Sequence, residues 1–171
     1  YCWTLKPYVV RYILKKFSNA QWVVYTDADA MFFTDLKKIL KNEYDIILTP
    51  HRFSNEVFKK QTIKVGKFNA GFIAFKRSQN SFMALDWWAE RCYNHCSENA
   101  ENGLYADQKY LNYFPNKFTK VNSNPPKGLN LAPWNICNQK RVLDMTKALN
   151  RDIIFYHMQG LKIFNQNIYE I

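Results

Sequence analysis

An apolar run that ends in two carboxylates constrains this chain most. Trp22-Val23-Val24 leads through Tyr25-Thr26 into Asp27-Ala28-Asp29. Alternate strand residues share a face, so a strand stopping here directs Asp27 and Asp29 at one point. Two hard oxygen ligands together suit Mg²⁺ or Mn²⁺, and such a cation in turn holds a diphosphate. Spacing alone leaves a second reading open, because Asp-x-Asp also arises in turns and in loops that cap a following helix.

With 171 residues, 47% hydrophobic and 17% aromatic, the chain can bury a full core as one domain, 1–171, and disorder is excluded. No apolar run reaches the roughly 18 residues that would read as a membrane span. The start Tyr1-Cys2-Trp3 lacks the layout of a signal peptide, and the missing initial methionine suggests a piece of something longer. Cys2, Cys92, Cys96 and Cys137 have no CxxC spacing and read as free thiols of a reducing compartment, so a cytoplasmic location is expected. The net charge of +10 favours anionic partners, among them phosphorylated small molecules and a membrane surface touched peripherally. Pairs such as Lys15-Lys16, Lys37-Lys38 and Lys59-Lys60 are scattered, without a basic stripe interleaved with aromatics, and nucleic acid is not an expected partner.

Helices and strands alternate along the chain. Leu5, Tyr8, Val9, Tyr12 and Ile13 recur at helical spacing opposite Lys6, Arg11 and Lys15, which predicts a helix over 7–17 with Pro7 in its first turn. Strand 22–26 is followed by a short helix, 35–40, capped by Thr34, and by a buried strand, 45–49. Residues 51–67 read as a polar, basic loop. Strand 68–76 opens on Asn69-Ala70-Gly71, where small residues let backbone approach a ligand. A helix over 80–95 buries Phe82, Leu85, Trp88, Ala89 and Cys92. A further helix opens at Asp107 and stops at Pro115; 125–128 is a turn, 128–134 extended, and 139–152 either helix or hairpin. Strand 153–156 delivers His157. The sum is an open α/β sheet with its functional groups along one edge.

In that order, Tyr25-Thr26-Asp27-Ala28-Asp29, Phe68-Asn69-Ala70-Gly71, Asp107-Gln108-Lys109-Tyr110-Leu111-Asn112 and His157-Met158-Gln159-Gly160 resemble the motifs of GT-A-fold glycosyltransferases. The wording is nearest to the retaining group of glycogenin and the bacterial lipopolysaccharide galactosyltransferases. Leu48-Thr49-Pro50-His51-Arg52-Phe53, Trp87-Trp88-Ala89-Glu90-Arg91-Cys92 and Asn130-Leu131-Ala132-Pro133-Trp134-Asn135 are similar to segments of bacterial nucleotide-sugar transferases.

The resemblance implies a mixed open GT-A sheet flanked by helices that lacks part of its N-terminal nucleotide-binding half. It also implies metal-dependent transfer from a nucleotide sugar, a UDP-sugar, to a glycan or lipid-linked acceptor in surface polysaccharide or glycolipid assembly. Asp29 and His157 would bind Mn²⁺ or Mg²⁺, with Asp27 as a further ligand or a ribose contact. Asn69, Ala70 and Gly71 would line the donor sugar, and Asp107 and Gln108 would lie beside the anomeric carbon. Gly160 and Lys162 would meet the diphosphate, although the galactosyltransferase lysine stands six residues after the histidine and Lys162 stands five after His157.

Other readings stay open. Asp107 could simply cap a helix; His51 and Arg52 could meet donor or acceptor, or sit on a solvated loop; Trp134 could stack on a sugar or fill the core. Haloacid-dehalogenase phosphatases also carry Asp-x-Asp, but Met31 stands where they need threonine or valine. The alternative outside catalysis is a truncated or degenerate transferase that only binds glycans or a partner.

Overall fold

The computed structural model describes residues 2–54, 56–99, 103–136, 153–160, 162–164 and 168–170, and only the backbone at 57, 58, 162–164 and 168–170. The order is α1 (Cys2–Lys16), β1 (Trp22–Thr26), β2 (Ala30–Phe32), a 3-10 turn (Leu36–Lys38), β3 (Ile46–Pro50), α2 (Glu56–Val65), β4 (Phe68–Lys76) and α3 (Gln79–Asn94). A second 3-10 turn (Lys109–Tyr113), α4 (Phe114–Lys117), β5 (Val121–Asn122), β6 (Phe155–His157), β7 (Lys162–Phe164) and β8 (Ile168–Glu170) follow.

The main sheet runs β1-β4-β3-β5; β4 is antiparallel to both neighbours, and β5 is parallel to β3. Between Leu48 and Thr49 the β3–β4 register jumps, from Leu48 opposite Ile73 to Thr49 opposite Asn69. The Thr49 hydroxyl closes this bulge by donating toward the carbonyls of Asn69 (3.2 Å) and Phe72 (3.1 Å). Side-chain alternation inverts across it. Phe68, Ala70, Ile73 and Phe75 face the core under α1 and α3, with Val10, Leu14, Leu85 and Trp88. Phe72 and Ala74 face a second core with Ile39, Leu129, Ile154 and Phe155. Ala70, Gly71 and Phe72 are thus left without partners on β3, and bulges gather where a sheet aims groups at a site.

Several elements depart from the sequence expectations. The first helix begins at Cys2, so Pro7 is an interior residue. Packing of Val10 and Leu14 against α3 outweighs the backbone bond that proline removes. The expected helix 35–40 is a single 3-10 turn, capped by Asp35, which accepts from the Lys37 amide at 2.9 Å, and not by Thr34. Residues 56–65, expected as loop, form α2. Gly66 at φ +96° ends that helix, and the Lys109 ammonium bonds the Ile63 and Lys64 carbonyls at its C-terminus. Pro115 starts α4 instead of stopping a helix. The stretch 128–134 is a pair of turns bridged at Leu131 to Tyr156, not an extended segment. Strand β6 begins at Phe155, two residues later than expected. The 139–152 reading and Cys137 lie outside the described residues. Cys2, Cys92 and Cys96 are free thiols. Among the described residues no helix is long and apolar enough to cross a membrane.

Candidate metal and nucleotide-sugar site

The end of β1 meets the bulge of β4 and the end of β6, and these three junctions build one site. Beyond Thr26 the Asp27 amide donates to the Gly71 carbonyl at 3.0 Å. Ala30 of β2 then pairs with His157 of β6, and the Met158 amide donates to the Asp29 carbonyl at 2.7 Å. Asp27, Asp29 and His157 therefore present three ligand atoms that all lie within 4.8 Å of one another. His157 Nε2 is 3.2 Å from Asp29 Oδ1 and 3.8 Å from Asp27 Oδ2. Both carboxylate side chains are about a third exposed (35% and 39%), whereas the imidazole is 5% exposed.

The other face of the ring is fixed. His157 Nδ1 lies 3.2 Å from Asn69 Oδ1, and that oxygen also accepts from the Gly71 amide at 3.0 Å. Facing an oxygen that can only accept, Nδ1 is placed to donate, and a neutral ring with its proton there turns the Nε2 lone pair toward the two carboxylates. A positive centre is what that arrangement lacks, and a divalent cation with two oxygen ligands and one nitrogen ligand supplies it. Gly71 leaves room for the ring: a Cβ there would stand 2.4 Å from His157 Cε1. The residues present fit a divalent cation.

Around this group opens a cavity of about 480 Å³, lined among others by Lys6, His51, Ala70, Asp107, Gln108 and Trp134. Lys6, 5% exposed, reaches in from α1. Its ammonium stands 2.9 Å from Asp107 Oδ2 and 3.9 Å from Asp27 Oδ1, donates to the Ala70 carbonyl at 3.0 Å and lies 4.5 Å from the Tyr25 ring centre. Tyr25 donates its hydroxyl to Asp27 Oδ1 at 2.8 Å, and burial together with that carboxylate pushes its pKa well above the usual phenol value. Asp107 follows Ala106, which holds a left-handed φ of 46°, and Trp88 Nε1 pins its carbonyl at 2.8 Å. Burial raises the Asp107 pKa while Lys6 opposes the shift.

Asp107 and Gln108 thus do reach the cavity, but each already has protein partners. Gln108 Oε1 accepts from the Ala70 amide (2.9 Å) and from Asn69 Nδ2 (3.2 Å), and its Nε2 donates to the Val65 carbonyl at 2.9 Å.

Not every anticipated residue converges. Gly160 sits at φ +87°, where an added Cβ would meet nothing within 4 Å among the described residues, and it is not among the lining residues, although Gln159 is; Lys162 lies in β7, where only backbone is described. His51 is no solvated loop residue: it is 5% exposed, its Nδ1 lies 3.3 Å from the Lys67 carbonyl, and burial pushes its pKa down to about 4. Arg52 turns away to the Pro125 and Pro126 carbonyls and Asn124. Trp134, 6% exposed, serves both core and cavity; its ring packs edge-on to His51 and His157, and its Nε1 donates to the His51 carbonyl. Sequence reasoning missed Lys6, having placed it on the polar face of α1. The signal was present, because Lys6, Val10 and Leu14 fall at i, i+4 and i+8 and form one stripe.

Residues 4–160 match the nucleotide-diphospho-sugar transferase family. The chain belongs to that family. Two Bacillus subtilis (strain 168) relatives, the uncharacterised proteins YfnF and YfnD, are each 30% identical to it over 98% and 100% of this chain. The chain spans just under three-fifths of their lengths, 58% and 57%. Among solved structures, a glycosyltransferase involved in glycosylating the major capsid of PBCV-1 superposes with a TM-score of 0.58 at 15% identity, covering 94% of this chain and 71% of that one. The galactosyltransferase LgtC, solved with donor and acceptor sugar analogues, gives 0.51 at 16% identity over 90% and 58%. The family member described here therefore has the GT-A fold, a mixed open sheet flanked by helices.

Proposed function

We propose that this family member transfers a sugar from a nucleoside-diphosphate sugar, a UDP-sugar, to a glycan or lipid-linked acceptor with the help of a divalent cation. The observation that carries the reading is the Asp27-Asp29-His157 cluster, three ligand atoms within 4.8 Å of one another on the wall of the cavity. Asp27, Asp29 and His157 would hold the cation, and the nitrogen ligand favours Mn²⁺ over Mg²⁺. When bound, the cation supplies Lewis-acid stabilisation of the charge that grows on a departing diphosphate.

The chain's own groups do the remaining work. Lys6 and Asp107 meet sugar hydroxyls as a preformed donor and acceptor pair beside the Ala70 carbonyl. Buried groups that are already oriented need little reorganisation as positive charge develops at the sugar ring. Trp134 and His51 close one wall and exclude water from it. Gly160 and Lys162 follow the histidine closely enough in sequence to approach the diphosphate. Residues 1–171 form one domain of a longer transferase in this reading, and residues beyond it complete the pocket for the base. The net charge of +10 supports peripheral contact with the cytoplasmic face of an anionic membrane that bears the acceptor, as surface polysaccharide or glycolipid assembly would require.

Calorimetry tests this. Mn²⁺, and then UDP or inorganic diphosphate, are titrated into the chain and into Asp29→Ala. Binding of the phosphate ligands only in the presence of Mn²⁺, and its loss in the variant, is the expected result. Equal binding without Mn²⁺, or an Asp29→Ala protein that behaves as the parent does, overturns the proposal.

A further inference from the structure

We infer that Gln108 and Asn69 are a positioning relay that keeps the ring proton of His157 on Nδ1 and leaves Nε2 as the electron-pair donor toward the cation; this rests on the metal-dependent reading above. Each link has a direction set by a backbone group that can play only one part. The Val65 carbonyl can only accept, which fixes Gln108 Nε2 against it at 2.9 Å. The Ala70 amide can only donate, which fixes Gln108 Oε1 at the opposite end. Asn69 Nδ2 then donates to that oxygen at 3.2 Å, and the Gly71 amide fixes Asn69 Oδ1 as the acceptor facing His157 Nδ1.

Reversing either carboxamide would set donor against donor or acceptor against acceptor at a buried site. A reversed Asn69 would offer an N–H to Nδ1, and the ring proton would then sit on Nε2, where no cation can be ligated. Three consecutive residues of the β4 bulge therefore hold one imidazole proton, and Gln108 acts through them without touching the ligand cluster.

The test reads the proton and the cation separately. Protein labelled with ¹⁵N in its histidines, at a pH that keeps the ring neutral, reports the His157 tautomer by NMR; free Mn²⁺ measured by electron paramagnetic resonance gives the affinity. The parent chain shows the Nδ1-protonated form. Asn69→Leu gives a mixed tautomer and about 10- to 100-fold weaker Mn²⁺ binding, the usual loss when the outer partner of a metal-ligating histidine is removed. Asn69→Asp breaks the link to Gln108 by setting oxygen against oxygen, yet still presents an acceptor to Nδ1 and keeps the Nδ1-protonated form. Gln108→Leu, which frees one side of the Asn69 amide, weakens Mn²⁺ several-fold in the same direction.

A role in packing alone would lower the melting temperature without moving the tautomer. Parent-like tautomer and affinity in Asn69→Leu, or an Nε2-protonated ring in the parent, overturns the relay. Should Asn69→Leu fail to fold, Asn69→Asp against Gln108→Leu decides the matter by the same two readouts. A parent that binds no Mn²⁺ sinks the metal reading while the tautomer still decides the relay; Mn²⁺ binding with an intact relay but no UDP or diphosphate binding sinks the nucleotide reading alone.

Discussion

Asp107 and the Asp27/Asp29 pair border the same cavity and balance their charge in opposite ways. Asp107 has a side chain 3% exposed, with the Lys6 ammonium 2.9 Å away, and is neutralised from within. Asp27 and Asp29 stay about a third exposed, share the His157 imidazole and have Lys6 only at 3.9 Å from Asp27. A carboxylate with a built-in partner is balanced by the fold itself; two carboxylates that share one imidazole leave their balance to a cation, as proposed above. The difference is measurable as stability against binding.

Lys6→Met tests the internally balanced end and has the largest expected effect. It leaves Asp107 buried without its cation, so thermal or denaturant unfolding should register a loss of about 3–5 kcal/mol. Adding Asp107→Leu to that background should recover much of it, since removing both partners of a buried pair costs less than removing one. A single variant as stable as the parent would erase the contrast.

His51 adds a third way, a buried base kept neutral. Its folded pKa of about 4 lies below the unfolded value near 6.5, so between those limits the unfolded chain binds the extra proton. Its contribution is complete above pH 6.5 and is lost as the pH falls toward 4. That loss is on the order of 3 kcal/mol at about 1.4 kcal/mol per pKa unit. Melting curves across this window should show the drop in the parent and a smaller one in His51→Gln, which can still donate to the Lys67 carbonyl without titrating. Parallel pH profiles for the two proteins would rule His51 out as the cause.

Asp29→Ala sharpens the open end and should disturb the fold least. Removing one of two facing carboxylates, itself partly exposed, should change unfolding free energy by no more than about 0.5 kcal/mol, while Mn²⁺ binding is lost. A large destabilisation would mean that the fold depends on Asp29 as it does on the Lys6–Asp107 pair.

The readable parts of the site were those where chemistry follows a short local pattern. Asp27 and Asp29 are legible from a strand that ends in alternate carboxylates, and His157 from its motif order after a β-branched run. Burial on α3 was equally plain, since Leu85, Trp88, Ala89 and Cys92 keep helical spacing and all are buried. Partnerships across distance were not readable. Lys6 and Asp107 are 101 positions apart, and nothing local to either names the other. Gln108 was expected beside the reacting sugar because of its position in a motif. Its bonds to Val65, Asn69 and Ala70 depend on the chain returning between α2 and β4. Helix α2 was missed because its sequence is rich in lysine; Gly66 marks its end locally, but the Lys109 ammonium that bonds its last carbonyls lies 43 positions after Gly66.

The inverted alternation of β4 makes residue number, and not only residue type, part of the architecture. Phe68 and Ala70 face one core, and so do Ile73 and Phe75, which no uninterrupted period of two allows. Repacking can absorb a substitution in this strand, but losing one residue between 69 and 72 would turn Phe72 and Ala74 toward the helices and Ile73 and Phe75 away from them. The bulge is thus a counting device: a deletion of one residue there would move the His157 cradle and exchange the contents of both cores at once.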